Sequence, residues 1–518
     1  MQIIDNKAVH LRVRDAAKFA ILPHKHIEPI VGGGFDVYVK WGLDEVRVLR
    51  NLGITVPSPI TGRYKWPGRF KPMSHQRDTA DFSTIHRRCF IFNDAGVGKT
   101  MSALWAADYL ITTKRVRRVL IVCPVSIMHA AWMNDFNQSI IHRSAVVAHH
   151  SDAKRRVAAV QGDYEFVIVN YDGLQIVGHA IRSDGRFDLV IVDEANAYSN
   201  VSTQRWKALN SILTPETLLW MMTATPAAQS PEHAYGLARL VNPSGVPGYK
   251  GAWRDKVMVR LTQFKWAPKI NAKELVHEAL QPAIRFTKAQ CLDLPPVIVQ
   301  TRDVDMTPQQ SKYYKLLKDQ MVAMAAGEKI TAVNKGVMIN KLLQVSAGSC
   351  RTDDGDIIEF DAAPRLNVLR EVLEETKNKF LIFTMYTASI VRLHEYLNKI
   401  GYVVDIIDGN VPMSQRGDII NRFQHTDESQ GLVIQPKAAA HGLTLTRADN
   451  VIFYGPLDSV EHYIQCIARA DRKGQVADKV TVTHIQNSPV ERAAFQRLAG
   501  RVSESNLLSL MFDEVVAK

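Results

Sequence analysis

Cysteine is scarce in this chain. There are five in 518 residues (Cys89, Cys123, Cys291, Cys350 and Cys466), an odd number, far apart, with no pair at metal-ligand spacing. That excludes a disulfide framework or a zinc site and fits a reducing compartment. Long apolar runs are missing too. No uninterrupted stretch approaches the roughly 20 residues a membrane helix needs, and Met1 to Arg14 has no apolar core of signal-peptide length. Short-period repeats and low-complexity tracts are absent from the sequence. Acidic residues are in the minority, 52 against 64 Lys and Arg, for a net charge of +12. Such a surplus suits a polyanionic partner and says nothing of fold. The expectation is a cytoplasmic protein with no membrane partner. With 46% hydrophobic and 22% charged residues, disorder over the whole length is excluded, and the length makes room for about two to four domains.

Residues 1–64 read as a small α+β accessory unit. Val37 to Trp41 alternates like a strand, Asp44 to Leu52 reads as a helix capped by Asp44 and closed by Gly53, and Gly32-Gly33-Gly34 reads as a turn. Across 65–245, apolar runs alternate with helical stretches: Cys89–Asn93, Val119–Cys123, Phe166–Asn170, Leu189–Val192 and Leu218–Met222. Continuous apolar runs of this length suit parallel strands covered on both faces. Over 246–360 the strands fade, and Gln309–Ala326 and Ala332–Val345 read as helices. Across 361–495 the alternation returns, with Phe380–Thr384, Val403–Ile407, Leu432–Gln435, Val451–Tyr454 and Val480–Ile485. A C-terminal helix is expected over 496–518. The fold class is therefore α/β, with two parallel-sheet lobes joined by a helical segment.

Asn93-Asp94-Ala95-Gly96-Val97-Gly98-Lys99-Thr100 lies between a strand-like run and the helix-like Met101–Leu110. Glycines there let backbone N–H groups close around phosphate oxygens, Lys99 would reach the β- and γ-phosphates, and Thr100 would hold Mg²⁺. The strict pattern has Gly at the first position, where this chain has Asn93. Leu189-Val190-Ile191-Val192 ends in Asp193-Glu194, which puts two acids at the tip of a buried strand. Asp193 would contact Mg²⁺ through water and Glu194 would orient or deprotonate the attacking water, the division of labour phosphoryl transfer requires. These residues suit the phosphates of a nucleotide with Mg²⁺. Farther on, Arg469 and Arg472 in Gln465–Gln475 are three apart, a spacing that shares one helical face.

With this segment the chain resembles the Swi/Snf-like ATPases of helicase superfamily two, over about 65–495 and in the family's motif order. The resemblance implies two RecA-like lobes and ATP as the nucleotide. It gives Gln76 the reading of adenine and makes 93–100 motif one. Val122 to Ser126 with Trp132 is similar to motif Ia, and Val169 to Asp172 to motif Ib. Asp193 to Asn196 is motif two, and Met222-Thr223-Ala224-Thr225-Pro226 is motif three, which couples phosphate state to the other lobe. Arg285-Phe286-Thr287-Lys288 resembles the segment leading into the second lobe. Gly442 to Thr446 resembles motif five and Gln465 to Gln475 motif six, whose Arg469 and Arg472 would meet the γ-phosphate. The implied nucleotide contacts are Gln76, Asn93, Asp94, Ala95, Gly96, Val97, Gly98, Lys99, Thr100 and Gln465. Lys99, Glu194, Arg469 and Arg472 carry catalysis, Thr100 and Asp193 hold the metal, and Asn196, Thr223, Ala224 and Thr225 couple. DNA contacts fall to Pro124, Ser126, Tyr171, Gly442 and Thr444.

Three departures stand out. Asn196 replaces the usual His, Ala439-Ala440 replaces a common Gly-Gly, and Leu457 stands where many members carry Trp. None removes Lys99, Glu194 or the arginines. The expected function is an ATP-driven translocase on duplex or branched DNA, bound without sequence preference, in repair, recombination or replication. Partners among replication, repair or transcription proteins are expected. With no reader module before Lys518, a compact bacterial or bacteriophage enzyme is expected rather than a nucleosome remodeller. Two readings stand beside it: a strand-separating helicase, and an adaptor to nucleic acid or RNA polymerase with ATP as a structural ligand.

Overall fold

The computed structural model describes residues 1–226, 230–262, 266–291, 294–327, 332–352, 355–376, 378–439 and 444–500. They form two compact units that divide after Cys291. Among the described residues no helix is long and apolar enough to cross a membrane.

The first unit opens with a four-stranded antiparallel sheet: β1 (Gln2–Ile4), β2 (Ala8–Val13), β3 (Lys25–Pro29) and β4 (Phe35–Lys40), in the order β1-β2-β4-β3. Alternation sets its two faces, with Val9, Leu11, Val37 and Val39 buried. Gly32, Gly33 and Gly34 make the β3–β4 connection at φ of +100°, +107° and +93°, a path open only to glycine. The helix Leu43–Asn51 follows. Its N-cap is Gly42, so Asp44 lies in the first turn instead of capping it, where a carboxylate still favours the positive helix end. The inner face of this sheet does not have a core of its own. Val9, Leu11, Val39 and Trp41 share one apolar cluster with Cys89, Ile91, Trp105 and Ile121, so the change of pattern near residue 64 is not a gap in packing.

That shared cluster covers one face of a seven-stranded parallel sheet. Its strands are β5 (Arg88–Ile91), β6 (Arg118–Cys123), β7 (Ala145–Val147), β8 (Phe166–Asn170), β9 (Phe187–Val192) and β10 (Leu218–Met222). After a short ladder of β11 (Met258–Arg260) with β12 (Trp266–Pro268), the edge strand β13 (Ala283–Ile284) completes it. The order is β13-β5-β10-β9-β6-β8-β7. Alternate residues of one strand serve opposite faces: Ile121 and Ile191 join the first cluster, whereas Leu120, Val122, Val190 and Val192 join a second. Burial on both sides is why these strands read as unbroken apolar runs.

The span 246–360 contributes to both units. The helices Lys250–Val257 and Ala272–Ala279 and strand β13 belong to the first. In the second, β14 (Val297–Asp303) runs parallel to β21 (Val480–Gln486), followed by the helices Pro308–Gly327 and Ala332–Ser346 and a pair, β15 (Ser349–Arg351) with β16 (Ile357–Glu359). A helical segment was expected here, because β13 has two residues and the Val297-Ile298-Val299 run of β14 is short and gives way to Gln300, Thr301 and Arg302. β17 (Lys379–Phe383), β18 (Val404–Ile407), β19 (Gly431–Ile434) and β20 (Ala448–Phe453) complete a six-stranded parallel sheet, β14-β21-β20-β17-β19-β18. A helix runs over 489–500. Of the expected C-terminal helix, 496–500 is helical and 501–518 lies outside the described residues.

Candidate nucleotide and nucleic-acid sites

In a parallel sheet the loops that follow the strands' C-terminal ends gather on one side, where α/β proteins bind ligands. Strands β5, β10 and β9 are neighbours. The phosphate loop, the Thr223–Thr225 segment and the acid pair therefore emerge side by side.

The loop leaves β5 at Phe92, and Lys99 and Thr100 open the helix Lys99–Thr112. Gly96 and Gly98 have φ of +88° and +81°. The backbone at Gly98 calls for glycine, and a Cβ there would lie 2.1 Å from Gln76 Nε2 and displace that amide. Gln76 backs the loop from behind: its Nε2 donates to Gly98 O (3.4 Å) and its Oε1 accepts from the Met73 N–H (2.9 Å). His75 meets Val97 O through Nε2 (2.9 Å). Lys99 Nζ donates to the loop's own carbonyls, Asn93 O at 2.7 Å and Asp94 O at 3.0 Å. Asn93 is buried, and its side chain is engaged within the first unit. Its Nδ2 donates to Thr79 Oγ1 (2.8 Å) and its Oδ1 accepts from the Phe286 N–H (3.0 Å).

Asp94 has partners that the sequence alone did not reveal. Its carboxylate accepts from Arg285 NH2 (3.0 Å) and from the Lys288 N–H (3.1 Å), and its own N–H donates to Phe286 O (2.9 Å). Residues 285–288 thus run beside the phosphate loop. The contact continues the β13–β5 pairing, a two-residue ladder with no pattern to find.

Asp193 and Glu194 follow β9 as expected. Asp193 Oδ1 accepts from the Glu194 N–H (2.9 Å), and Oδ2 from the indole N–H of Trp132 (3.1 Å). Burial raises the pKa of this carboxylate, against the opposing pull of Lys99 and of those two donors. Lys99 is shifted the other way: burial lowers it, Glu194, Asp193 and Asp94 oppose that, and Arg285 adds to it. Lysine and acid pair therefore face one another electrostatically. Glu194 sits at φ +47°, ψ +55°, a left-handed conformation for a non-glycine residue, which costs about 1–3 kcal/mol. The Tyr171 hydroxyl spans the strained peptide, 2.7 Å from Asp193 O and 3.2 Å from Glu194 O. Burial and the two acids keep that phenol far above its usual range.

Asn196 sits in the short helix after the acids. Its Nδ2 donates to Thr225 O (2.9 Å) and Thr225 Oγ1 (3.1 Å). The bridge between motifs two and three is thus present with asparagine in place of histidine. Thr223 continues the β10–β5 contact through Ile91 O (3.1 Å), and its hydroxyl accepts from the Thr225 N–H (3.3 Å); Ala224 lies between them. Pro124 and Ser126 are partly exposed at the end of β6, before the buried Trp132.

In the second unit the helix Val460–Ala470 carries Gln465 and Arg469, both buried. The expectation of one helical face for Arg469 and Arg472 is corrected here. The helix stops at Ala470, where Gln475 Nε2 takes the carbonyls of Ala470 (3.1 Å) and Ala448 (2.8 Å), and Arg472 lies in the turn beyond. From there Arg472 NH1 donates to Thr444 Oγ1 (2.9 Å), and the Leu445 N–H donates to Arg469 O (3.0 Å). Motifs five and six are stitched together. Gly442 and Ala440 lie outside the described residues. Leu457, in the tryptophan position, is buried in the core.

Comparison with known proteins identifies the family. A model described as SNF2-related domain matches residues 39–352, and one described as helicase conserved C-terminal domain matches 364–474. Among curated proteins, the Xenopus tropicalis SWI/SNF-related matrix-associated actin-dependent regulator of chromatin subfamily A-like protein 1 is 25% identical over 78% of this chain and 41% of its own length. The Bos taurus DNA annealing helicase and endonuclease ZRANB3 is 25% identical over 79% and 38%. The Gallus gallus DNA repair and recombination protein RAD54-like is 21% identical over 82% and 64%. The chain thus spans about two fifths of the first two. Among solved structures, the Sulfolobus solfataricus SWI2/SNF2 ATPase core in complex with dsDNA aligns at 18% identity and TM-score 0.41, covering 87% of this chain and 97% of that one. With a family model matched over more than half its length, this chain belongs to the SNF2-related family, the Swi/Snf-like ATPases of helicase superfamily two.

Proposed function

We propose that this chain hydrolyses ATP in response to DNA and uses the cycle to move on duplex or branched DNA, in repair, recombination or replication. One observation carries the reading: the glycine loop with Lys99 and the Asp193–Glu194 pair leave the same end of one parallel sheet, from β5 and β9 with only β10 between them, and the acids act electrostatically on the lysine. Relatives whose names include a DNA annealing helicase and a DNA repair and recombination protein support the choice of DNA.

The residues suit ATP and Mg²⁺. Gly96 and Gly98 free the backbone for phosphate oxygens, and Gln76 fills the space behind Gly98. The Lys99 ammonium rests on two carbonyls that phosphate oxygens would replace. Thr100 and Asp193 offer the hard oxygens Mg²⁺ prefers, and bound there it would neutralise phosphate charge. In the second unit Gln465 has a buried Oε1 with no hydrogen-bond partner among the described residues, as a ligand-binding amide would.

In this reading Lys99 binds the β- and γ-phosphates, and Glu194 orients the attacking water and takes its proton. Trp132 and Tyr171 hold the two acids in place. Arg469 and Arg472 neutralise charge on the transferring phosphoryl group. Asn196 with Thr223–Thr225 passes the phosphate state onward. Pro124, Ser126, Tyr171, Gly442 and Thr444 remain the proposed DNA contacts, and partner proteins of replication, repair or transcription remain part of the proposal.

The test is steady-state ATP turnover without nucleic acid, then with single-stranded DNA, duplex, a fork, a four-way junction and duplex RNA at fixed salt. Stimulation by duplex or junction supports the translocase. Stimulation by single strands alone makes it a strand-separating helicase. Turnover with DNA no faster in wild type than in Glu194→Gln overturns the motor and leaves the adaptor.

A further inference from the structure

Between Val46 and Arg77 the chain carries no acidic residue, and from Arg63 onward cations alternate with aromatics: Arg63, Tyr64, Lys65, Trp66, Arg69, Phe70, Lys71, Arg77. The structure sorts them. Tyr64 and Trp66 turn inward. Their rings meet edge to face at 5.2 Å, and Trp66 meets Trp105 at 5.8 Å. Tyr64 hydrogen-bonds Asp108, and the Trp105 indole donates to Pro67 O (2.9 Å). Gly68, at φ +107°, lies so close to the helix Asn134–Ser139 that a Cβ would stand 2.3 Å from Gln138 O. The Arg69 N–H donates to the same oxygen at 2.8 Å. The strand of chain is therefore pinned at every second or third residue.

What remains outside is cationic. Lys65, Arg69, Lys71 and Arg77 are exposed, and no carboxylate among the described residues pairs with them. Phe70 is 45% exposed, with the Arg69 guanidinium 5.4 Å from its ring centroid. An exposed apolar ring is unfavourable in water, and with a cation beside it the ring offers a platform on which an unpaired base can stack. The helix it is pinned to comes shortly after Pro124 and Ser126, the proposed DNA contacts, in the chain.

We infer that the rigid strip Lys65–Lys71, with Arg77, is a second nucleic-acid contact, its cations on backbone phosphates and Phe70 stacked on an unpaired base of a branched DNA. This deepens the motor reading and rests on it, since it names the branch point as the preferred substrate. No motif residue is involved. A solvated basic loop of no function would show the same charges but would need neither the Gly68 anchor nor the outward phenylalanine.

The experiment measures affinity of the full chain for a fork and for a blunt duplex of equal length, over a series of salt concentrations. In Lys65→Ala/Arg69→Ala/Lys71→Ala, both affinities fall about 10- to 100-fold, and the slope of log affinity against log salt drops by about 2–3, near 0.9 for each lost phosphate contact. DNA-free ATP turnover and thermal melting stay at wild-type values. Phe70→Ala weakens the fork about five-fold or more with little change on blunt duplex, and Phe70→Trp restores it. A triple variant that keeps the wild-type slope overturns the strip while leaving the motor standing. Equal loss on fork and duplex in Phe70→Ala overturns the stacking role. A wild-type chain that binds none of these DNAs overturns the motor reading itself.

Discussion

Arg365 and Glu491 in the second unit lie at 1% side-chain exposure each, joined at 2.9 and 3.1 Å. The guanidinium also reaches the carbonyls of Ser346 (2.9 Å), Ile485 (2.7 Å) and Tyr454, and stacks over the Tyr454 ring. Glu491 in turn accepts the Asn487 N–H. Lys99 in the first unit is partly buried and feels the attraction of three carboxylates, yet its ammonium is held by two loop carbonyls. Both units thus withdraw charge of both signs from water, the second fully and the first in part. In one the partners are fixed by helices and strand ends and the ion pair is closed to any ligand. In the other the attraction is present and the bonds are interchangeable. Burial of charge alone does not mark a site; a cation whose bonds a ligand can replace does.

The largest effect that would break this comparison is in the acid pair. Glu194→Gln is expected to lower DNA-stimulated ATP turnover by about 10²–10⁴-fold, the range for a lost general base, with no loss of thermal stability. Near-wild-type turnover would make the two buried clusters equivalent. Next, Arg365→Met leaves Glu491 alone in the core and should destabilise the second unit by about 3–5 kcal/mol in urea unfolding, whereas Arg365→Met with Glu491→Leu should recover most of it. A double variant no better than the single would show that the carbonyl contacts, not the ion pair, carry the stability. Trp132→Phe removes one donor from a carboxylate and keeps the ring. Turnover should fall about 10- to 100-fold, the worth of a hydrogen bond to a charged group, while unfolding shifts little. Smallest is Asn196→Ala, which deletes two bonds to Thr225 and should cost about 2- to 10-fold in DNA-stimulated turnover. If Asn196→His equals wild type, the bridge tolerates either residue.

The parts legible in the sequence were those whose partners are near in the chain or whose environment imposes a pattern. The doubly covered strands β6, β8 and β9 appear as apolar runs, and 93–100 appears because the glycines, Lys99 and Thr100 serve one local structure. Illegible were bonds across long separations with no local signature. Trp132 finds Asp193 across 61 residues, Arg285 finds Asp94 across 191, and Arg365 finds Glu491 across 126. Each looks alone like an ordinary core or surface residue. The pairing of Arg469 with Arg472 on one face failed for a local reason. Gln475 folds back over the helix end, a use of glutamine that spacing does not reveal.

The contact of residues 285–288 with Asp94 also bears on how the molecule can be divided. A fragment stopped at residue 245, where the alternating pattern ends, would lack β13 and both donors to Asp94, exposing the outer edge of β5 and the flank of the phosphate loop. A fragment carried through Cys291 keeps them. A fragment that keeps these contacts therefore runs at least to Lys288, 43 residues beyond the point where the alternating pattern ends (288 − 245).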